Sequence, residues 1–400
     1  MFLGIATTDA LSVQQESPVI GNVTAARFYR PELDVLRLVA FMSVFTVHAL
    51  SVSPGTIPFQ PIVAAVGAYG LCLFFLLSSY LITELLSREE SKTGTVHVKA
   101  FYLRRILRIW PLYFGFLLFA KILGHFYPFF GLGTARLLSF LFLAGNWYIA
   151  KFGSSWTPAE ILWSISVEEQ FYLVWPLVAR FGGKRAVGVF SAILLPVAWI
   201  SLYWHRGGYQ PAPMGLEFDG TIWCNSLVQF QFFALGALFS ILMKGRVPGW
   251  NAFTRCAVFF SGFALWFTAS WLFRAGHYGE HLPGNILIFG YSLIAAGCVL
   301  LLSSMLGASP DRFPQFLIYL GKISYGLYVF HWICIESIYV LPNALAGRIP
   351  VTYNSILIFA LKYAIALAAT VLIAACSYRF FEAPFLKIKK RFTFVAVRAI

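Results

Sequence analysis

Ionisable side chains set inside apolar segments are the chemically informative residues of this 400-residue chain. The stretch LDVLRLVAFMSVFTVHA holds Asp34, Arg37 and His48. Charged groups are expensive in such a setting and mark pathways or reaction sites. Eleven helical positions bring Arg37 and His48 to within about 20° of one face, roughly 16 Å apart along the axis. Asp34 lies one turn below Arg37 and can pair with it. A neutral imidazole takes a proton from a hydroxyl at physiological pH, so His48 is a candidate general base. The alternative is a hydrogen-bonded packing histidine near the outer interface.

Three further segments carry comparable groups. RRILRIWPLYF puts Arg105 and Arg108 on one helix face behind Arg104. Guanidinium forks of this kind suit the phosphates of a nucleotide-bearing donor, while a topological anchor is the plainer reading. In SWTPAEILWSISVEEQFYLVWPL, Glu168, Glu169 and Gln170 interrupt an aromatic and aliphatic run that begins near Trp163. Adjacent carboxylates point about 100° apart on a helix, so one faces the bundle interior and the other a polar cavity or partner. A desolvated carboxylate can orient an imidazole as the third member of a triad does; a structural pair with an arginine is the alternative. GKISYGLYVFHW adds Lys322, Ser324, Tyr325, Tyr328 and His331, the last a second histidine deep in an apolar segment or a packing residue.

The elements that must position these groups are membrane helices. The chain is 59% hydrophobic, 18% aromatic and 12% charged, far from the quarter-charged make-up of a soluble domain. Apolar segments run over 33–52, 62–86, 109–124, 137–149, 161–179, 186–204, 221–243, 256–273, 285–307, 313–341 and 353–376. Most suit a helical crossing of roughly 30 Å of hydrocarbon. Basic residues flank them: Arg27 and Arg30, the run Arg88–Arg108, Arg180–Arg185, Lys244–Arg255, and Arg379–Arg391. If all of these are cytoplasmic, one segment does not cross, and 137–149, with about 13 residues, is re-entrant or interfacial. The expectation is therefore an all-α polytopic bundle of about ten transmembrane helices plus one short element, with both termini cytoplasmic.

This gives a lead-in over 1–26 without the pattern of a signal peptide, a membrane domain over 27–385, and a basic tail over 386–400. The net charge of +14 meets anionic lipid headgroups beside the spans rather than nucleic acid. Six cysteines scattered singly read as small packing residues, and no metal-ligand spacing occurs. Tyr203, Trp204, Tyr209 and Trp223 can stack on sugar rings or form an interfacial aromatic belt.

The segments together resemble the acyltransferase 3 family, membrane proteins that acylate sugars of polysaccharides, peptidoglycan and small glycosides. The likeness rests on LDVLRLVAFMSVFTVHA, FFLLSSYLI, RRILRIWPLY, GNW ending at Trp147, WSISVEEQFYLVWP and GKISYGLYVFHW, in that order. It implies about ten helices, an acyl-CoA donor, by default acetyl-CoA, on the cytoplasmic side, and an essential His48. It also implies that Arg37, Arg105 and Arg108 serve the donor and that Glu168 outweighs Glu169. Ser79 departs from the family pattern, which has glycine after Ser78, and puts the close backbone approach in question. The secreted hydrolase-like domain of some relatives is not expected in this chain.

The resulting expectation is an O-acyltransferase integral to the cytoplasmic (inner) membrane, with His48 deprotonating a carbohydrate hydroxyl. No bound cofactor is expected, acyl-CoA being a co-substrate. An acyl-enzyme on His48 or Ser78 is a variant of the scheme. The competing class is a carrier or exporter of a glycan or lipid-linked sugar, although no inverted repeat is visible.

Overall fold

A backbone inside lipid must satisfy its own hydrogen bonds, and a helix does so within one segment. The computed structural model describes residues 28–155, 157–205, 220–275, 282–340 and 355–395. The lead-in 1–26, Tyr209, the loop 342–352 and most of the loops 205–220 and 274–284 lie outside the described residues. Among the described residues, eight helical elements are long and apolar enough to cross a membrane, and a bent pair makes a ninth, so the described part of the chain is an all-helical integral membrane protein.

The first three helices are α1 (Pro31–Ser51), α2 (Gln60–Thr93) and α3 (Val98–Phe126). The segment 137–149 folds as two eight-residue helices, α4 (Thr134–Leu141) and α5 (Gly145–Phe152), interrupted where Leu143 takes a positive φ of 56°. Each rises about 12 Å, too short to cross. A short 3-10 turn, Pro158–Leu162, then leads into α6 (Trp163–Tyr203).

The 41 residues of α6 amount to about 60 Å, twice the hydrocarbon thickness. The helix breaks at Gly183, whose φ of 58° and ψ of −162° no helix contains. The break falls inside the basic stretch Arg180–Arg185 and between the segments expected at 161–179 and 186–204. After α7 (Gly220–Trp223) come α8 (Ser226–Met243), α9 (Ala252–Phe273) and α10 (Gly284–Met305). The apolar run 313–341 is bent by 75° into α11 (Gln315–Lys322) and α12 (Ser324–Tyr339). Finally α13 (Ile356–Cys376) passes through a π-helical turn, Ser377–Glu382, into α14 (Ala383–Lys389).

Helix α1 is packed by α2 along its length and by α11 and α12, which brings the first and tenth expected segments together. Lipid supplies little hydrophobic drive between helices, so close packing over small residues holds such contacts. Gly321 of α11 lies directly on the Asp34 backbone, where a Cβ would overlap the carbonyl. Phe181, Phe253, Phe380 and Leu357 are among the large apolar side chains left exposed on the perimeter, as a lipid-facing surface requires.

Residues 383–395, largely the expected basic tail, are folded against α3. Arg104 Nη1 donates to the Phe392 carbonyl at 2.7 Å and Lys92 Nζ to the Phe394 carbonyl at 3.0 Å. The His97 ring stacks on Phe394 with centroids 4.1 Å apart. This end of the chain therefore becomes a wall of the site described next.

Candidate active site

His48 sits in the last turn of α1 and meets His331 of α12, with His48 Nδ1 and His331 Nε2 2.8 Å apart. The rings stack with centroids 4.9 Å apart and 19° between planes. His331 is fully buried, and its Nδ1 meets the Tyr328 carbonyl one turn earlier on α12. A carbonyl only accepts, so His331 Nδ1 carries the proton. With both rings neutral, His331 Nε2 accepts from His48 Nδ1–H, which leaves the lone pair on His48 Nε2. Trp332 packs edge-on to His48 at 4.9 Å, while Phe41 and Phe45 flank His331.

A cavity of about 560 Å³ opens between α1, α2, α3, α6, α11, α12 and the C-terminal segment. Arg30, Arg37, Arg104, Arg105, Arg108, Lys322, Lys389 and Lys390 line it, against Asp34, Glu89, Glu168 and Glu382. Eight basic and four acidic groups leave a net charge of +4 on its wall. Two of the four carboxylates are paired with arginines: Asp34 accepts from Arg37 at 3.0 Å and from the Tyr29 hydroxyl at 2.9 Å, and Glu89 accepts from Arg104 at 2.7 Å. Arg105 lies 5.5 Å from the Phe101 ring centre and 5.2 Å from that of Tyr172, and its buried Nε has no hydrogen-bond partner among the described residues. A guanidinium held between aromatic faces keeps its fork oriented toward an anion.

Phe74, Ser164 and Tyr328 also line the cavity. The Tyr328 hydroxyl lies 2.6 Å from Ser164 Oγ and donates to the Ile161 carbonyl at 3.1 Å. Its ring is 6.3 Å from Phe74 and 5.4 Å from His331. Tyr328 thus lines the cavity with its side chain and holds His331 with its backbone. His48 itself is not among the lining residues.

The carboxylate expected beside His48 is elsewhere. Glu168 accepts from the Tyr172 hydroxyl one turn along α6 and faces the cavity within electrostatic reach of Arg105. Glu169 turns the other way, with Oε2 accepting from Trp110 Nε1 at 2.9 Å. Gln170 belongs to a closed polar ring: its Nε2 donates to Asn146 Oδ1 and its Oε1 accepts from Ser226 Oγ, which accepts from Asn146 Nδ2. That ring fastens α5, α6 and α8 together. Trp147, next to Asn146, is 42% exposed, and Trp163 is buried at the start of α6.

Ser78 lines the cavity, whereas Ser79 is buried and donates to the Phe233 carbonyl of α8. The close approach of α2 and α8 depends instead on Gly236, where a Cβ would overlap the Leu76 carbonyl. Tyr325 lines the cavity and donates to the Ile109 carbonyl at 2.9 Å. Thus Arg37, Arg105, Arg108, Asp34, Ser78, Glu168 and Tyr325 converge on one cavity, while His48 and His331 form a separate pair behind Tyr328.

A family model described as an acyltransferase domain, that of acyltransferase 3, matches residues 30–379. The chain belongs to this acyltransferase family. Among its relatives are a peptidoglycan O-acetyltransferase of Listeria monocytogenes, 27% identical over 90% of this chain and 56% of that protein. A Bacillus subtilis protein provisionally named for the same activity is 28% identical over 89% of this chain and 55% of its own length. A Staphylococcus aureus protein provisionally named an O-acetyltransferase is 25% identical over 90% of this chain and 58% of its own length. The chain spans a little over half the length of these curated relatives. No solved structure matches it.

Within this acyltransferase fold, several cavity residues escaped the sequence reading of function. Arg30, Lys389 and Lys390 looked like topology charges, and nothing in sequence separates an anchoring lysine from one turned into a pocket. Glu382 had a signal only in being a lone carboxylate within an apolar and basic stretch. Its place on a π-helical turn beside the cavity is visible only in three dimensions.

Proposed function

We propose that this chain transfers an acetyl group from cytosolic acetyl-CoA to a hydroxyl of a carbohydrate, with His48 as general base. The observation that carries the reading is the His48–His331 hydrogen bond, which leaves His48 Nε2 as a proton acceptor. A glycan carrier has no need of a base held in one tautomer. The names of the relatives support acetyl as the group and peptidoglycan as the acceptor to test first.

Supporting the donor site is the wall charge of the cavity, which suits a nucleotide with several phosphates. Arg105 and Arg108 bind phosphate oxygens together with Lys389 and Lys390 of the C-terminal segment. The pantetheine arm runs inward past Arg37 toward Tyr328, over a rise comparable to the roughly 16 Å between Arg37 and His48. Movement of the Tyr328 side chain admits the thioester to His48.

The acceptor hydroxyl gives its proton to His48 Nε2 as its oxygen attacks the thioester carbonyl carbon. The tetrahedral intermediate collapses, the C–S bond breaks, and the CoA thiolate takes the proton back from the imidazolium. An ester and free CoA result, with no acyl-enzyme.

Counting the two legs of α6 separately, and α11 with α12 as one bent span, brings the crossings to ten. With the basic residues inside, both termini are cytoplasmic, α4 and α5 form the element that enters without crossing, and His48 lies in the outer half. The membrane is then the cytoplasmic membrane, and the domain runs over 27–385 with the following segment docked on it.

The test uses purified protein in lipid nanodiscs with labelled acetyl-CoA and soluble muropeptides. Label should enter the glycan, with free thiol released only when glycan is present. His48→Ala should cut the rate by about 10²–10⁴-fold. A native rate in His48→Ala rejects the scheme, and glycan movement into vesicles without donor consumption favours a carrier.

A further inference from the structure

The transfer scheme leaves one buried group unused. Glu336 on α12 is fully buried, and neither carboxylate oxygen has a hydrogen-bond partner among the described residues. Buried acceptors of this kind are rare in folded proteins and require an explanation. Glu336 lies one helical turn beyond Trp332, whose ring meets His48 edge-on at 4.9 Å and whose buried indole N–H faces the Glu336 carboxyl without closing a hydrogen bond.

Across from α12, the turn Pro158–Leu162 brings up Glu160, in electrostatic reach of Glu336. Arg136 and Ser155 both donate to Glu160 Oε1, so that oxygen is held and Oε2 is left buried and unpartnered. Thr157, just before that turn, also buries a hydroxyl with no partner among the described residues. Three carboxyl oxygens, one indole N–H and one hydroxyl, none closing a hydrogen bond among the described residues, therefore gather beyond His48, and none of these residues lines the donor cavity.

We infer that Glu336, Glu160 and Trp332 form the acceptor subsite, binding vicinal hydroxyls of a sugar ring. A polyol supplies donors to the two carboxylates and an oxygen to the indole at once. A hydrocarbon chain supplies none of these. Held there, the ring presents a neighbouring hydroxyl to His48 Nε2. This deepens the transfer reading and rests on it for the role of His48, but the binding step is separable from the chemistry.

The experiment compares wild-type protein with Glu336→Gln and Trp332→Phe in nanodiscs. It measures muropeptide Kd without donor, then acceptor KM, donor KM and thermal stability. Glu336→Gln should weaken muropeptide Kd and raise acceptor KM about tenfold, and Trp332→Phe severalfold, with donor KM and stability unchanged. An unchanged muropeptide Kd in Glu336→Gln overturns the inference, as does an equal rise in donor KM or absence of muropeptide binding by the wild type. A wild type that binds muropeptide through Glu336 but never acetylates it upholds the subsite and overturns the transfer reading instead.

Discussion

His48 Nδ1 and His331 Nε2 lie 2.8 Å apart, and the Tyr328 carbonyl on the far side of His331 fixes the direction in which that hydrogen bond runs. The line carbonyl, His331, His48 places a neutral ring where a serine-protease-like triad places a carboxylate. A neutral partner orients His48 and selects its tautomer. In the transfer proposed above it contributes less to stabilising an imidazolium, which favours return of the proton to a leaving thiolate.

His331→Phe keeps a ring among Phe41, Phe45 and Tyr328 but removes the acceptor for His48 Nδ1–H. With tautomer and orientation lost, kcat should fall by roughly 10- to 100-fold while the KM of both substrates holds, since only proton transfer is affected. Steady-state kinetics on the nanodisc protein decide this. A kcat within twofold of wild type makes His331 a packing residue.

Glu168 separates two mechanisms. As the third member of a triad, its neutralisation should collapse kcat at constant KM. Its observed partner is Tyr172, which packs on Arg105, so Glu168→Gln should loosen the donor site instead. Donor KM is expected to rise about tenfold, the scale of one hydrogen bond to a charged group, with kcat within threefold. A kcat loss of a hundredfold at unchanged donor KM rejects this assignment.

The contrast between these two residues marks what the sequence made legible. Span positions and the break of α6 follow from apolar length and from the basic, glycine-containing stretch Arg180–Arg185, both local properties. His331 was visible as a polar residue out of place, but its pairing with His48 joins positions 283 residues apart through the packing of α12 on α1. A helical wheel sets Glu168 and Glu169 about 100° apart without saying which faces what. Lys389 and Lys390 carry no local mark at all, because their role depends on the C-terminal segment folding back onto α3.

Arg105→Lys tests the donor wall. Lysine keeps the charge but cannot lie flat between Phe101 and Tyr172 or offer a fork to phosphate. Donor KM should rise about tenfold and acceptor KM stay put, and the penalty should persist at high salt because it comes from geometry rather than screened charge. Donor titrations at two ionic strengths check it; a fully charge-conserving rescue would show that Arg105 only anchors the helix.

The contact that seats α11 on α1 is backbone against glycine. A Cβ at Gly321 would overlap the Asp34 carbonyl and come within 3.0 Å of Asp34 Cα, and neither atom can swing aside as a side-chain tip can. Gly321→Ala must therefore push α11 outward, at a cost of about 1–3 kcal/mol. Because Asp34 holds Arg37 at the cavity and α11 leads directly into the helix bearing His331, donor KM should rise and kcat fall together with the loss of stability. Gly249→Ala is the control, with nothing within 4 Å of the added methyl. Thermal unfolding in one detergent should show a clear drop in Tm for Gly321→Ala and none for Gly249→Ala, whereas equal melting of the two would mean that α1 and α11 do not approach as closely as described.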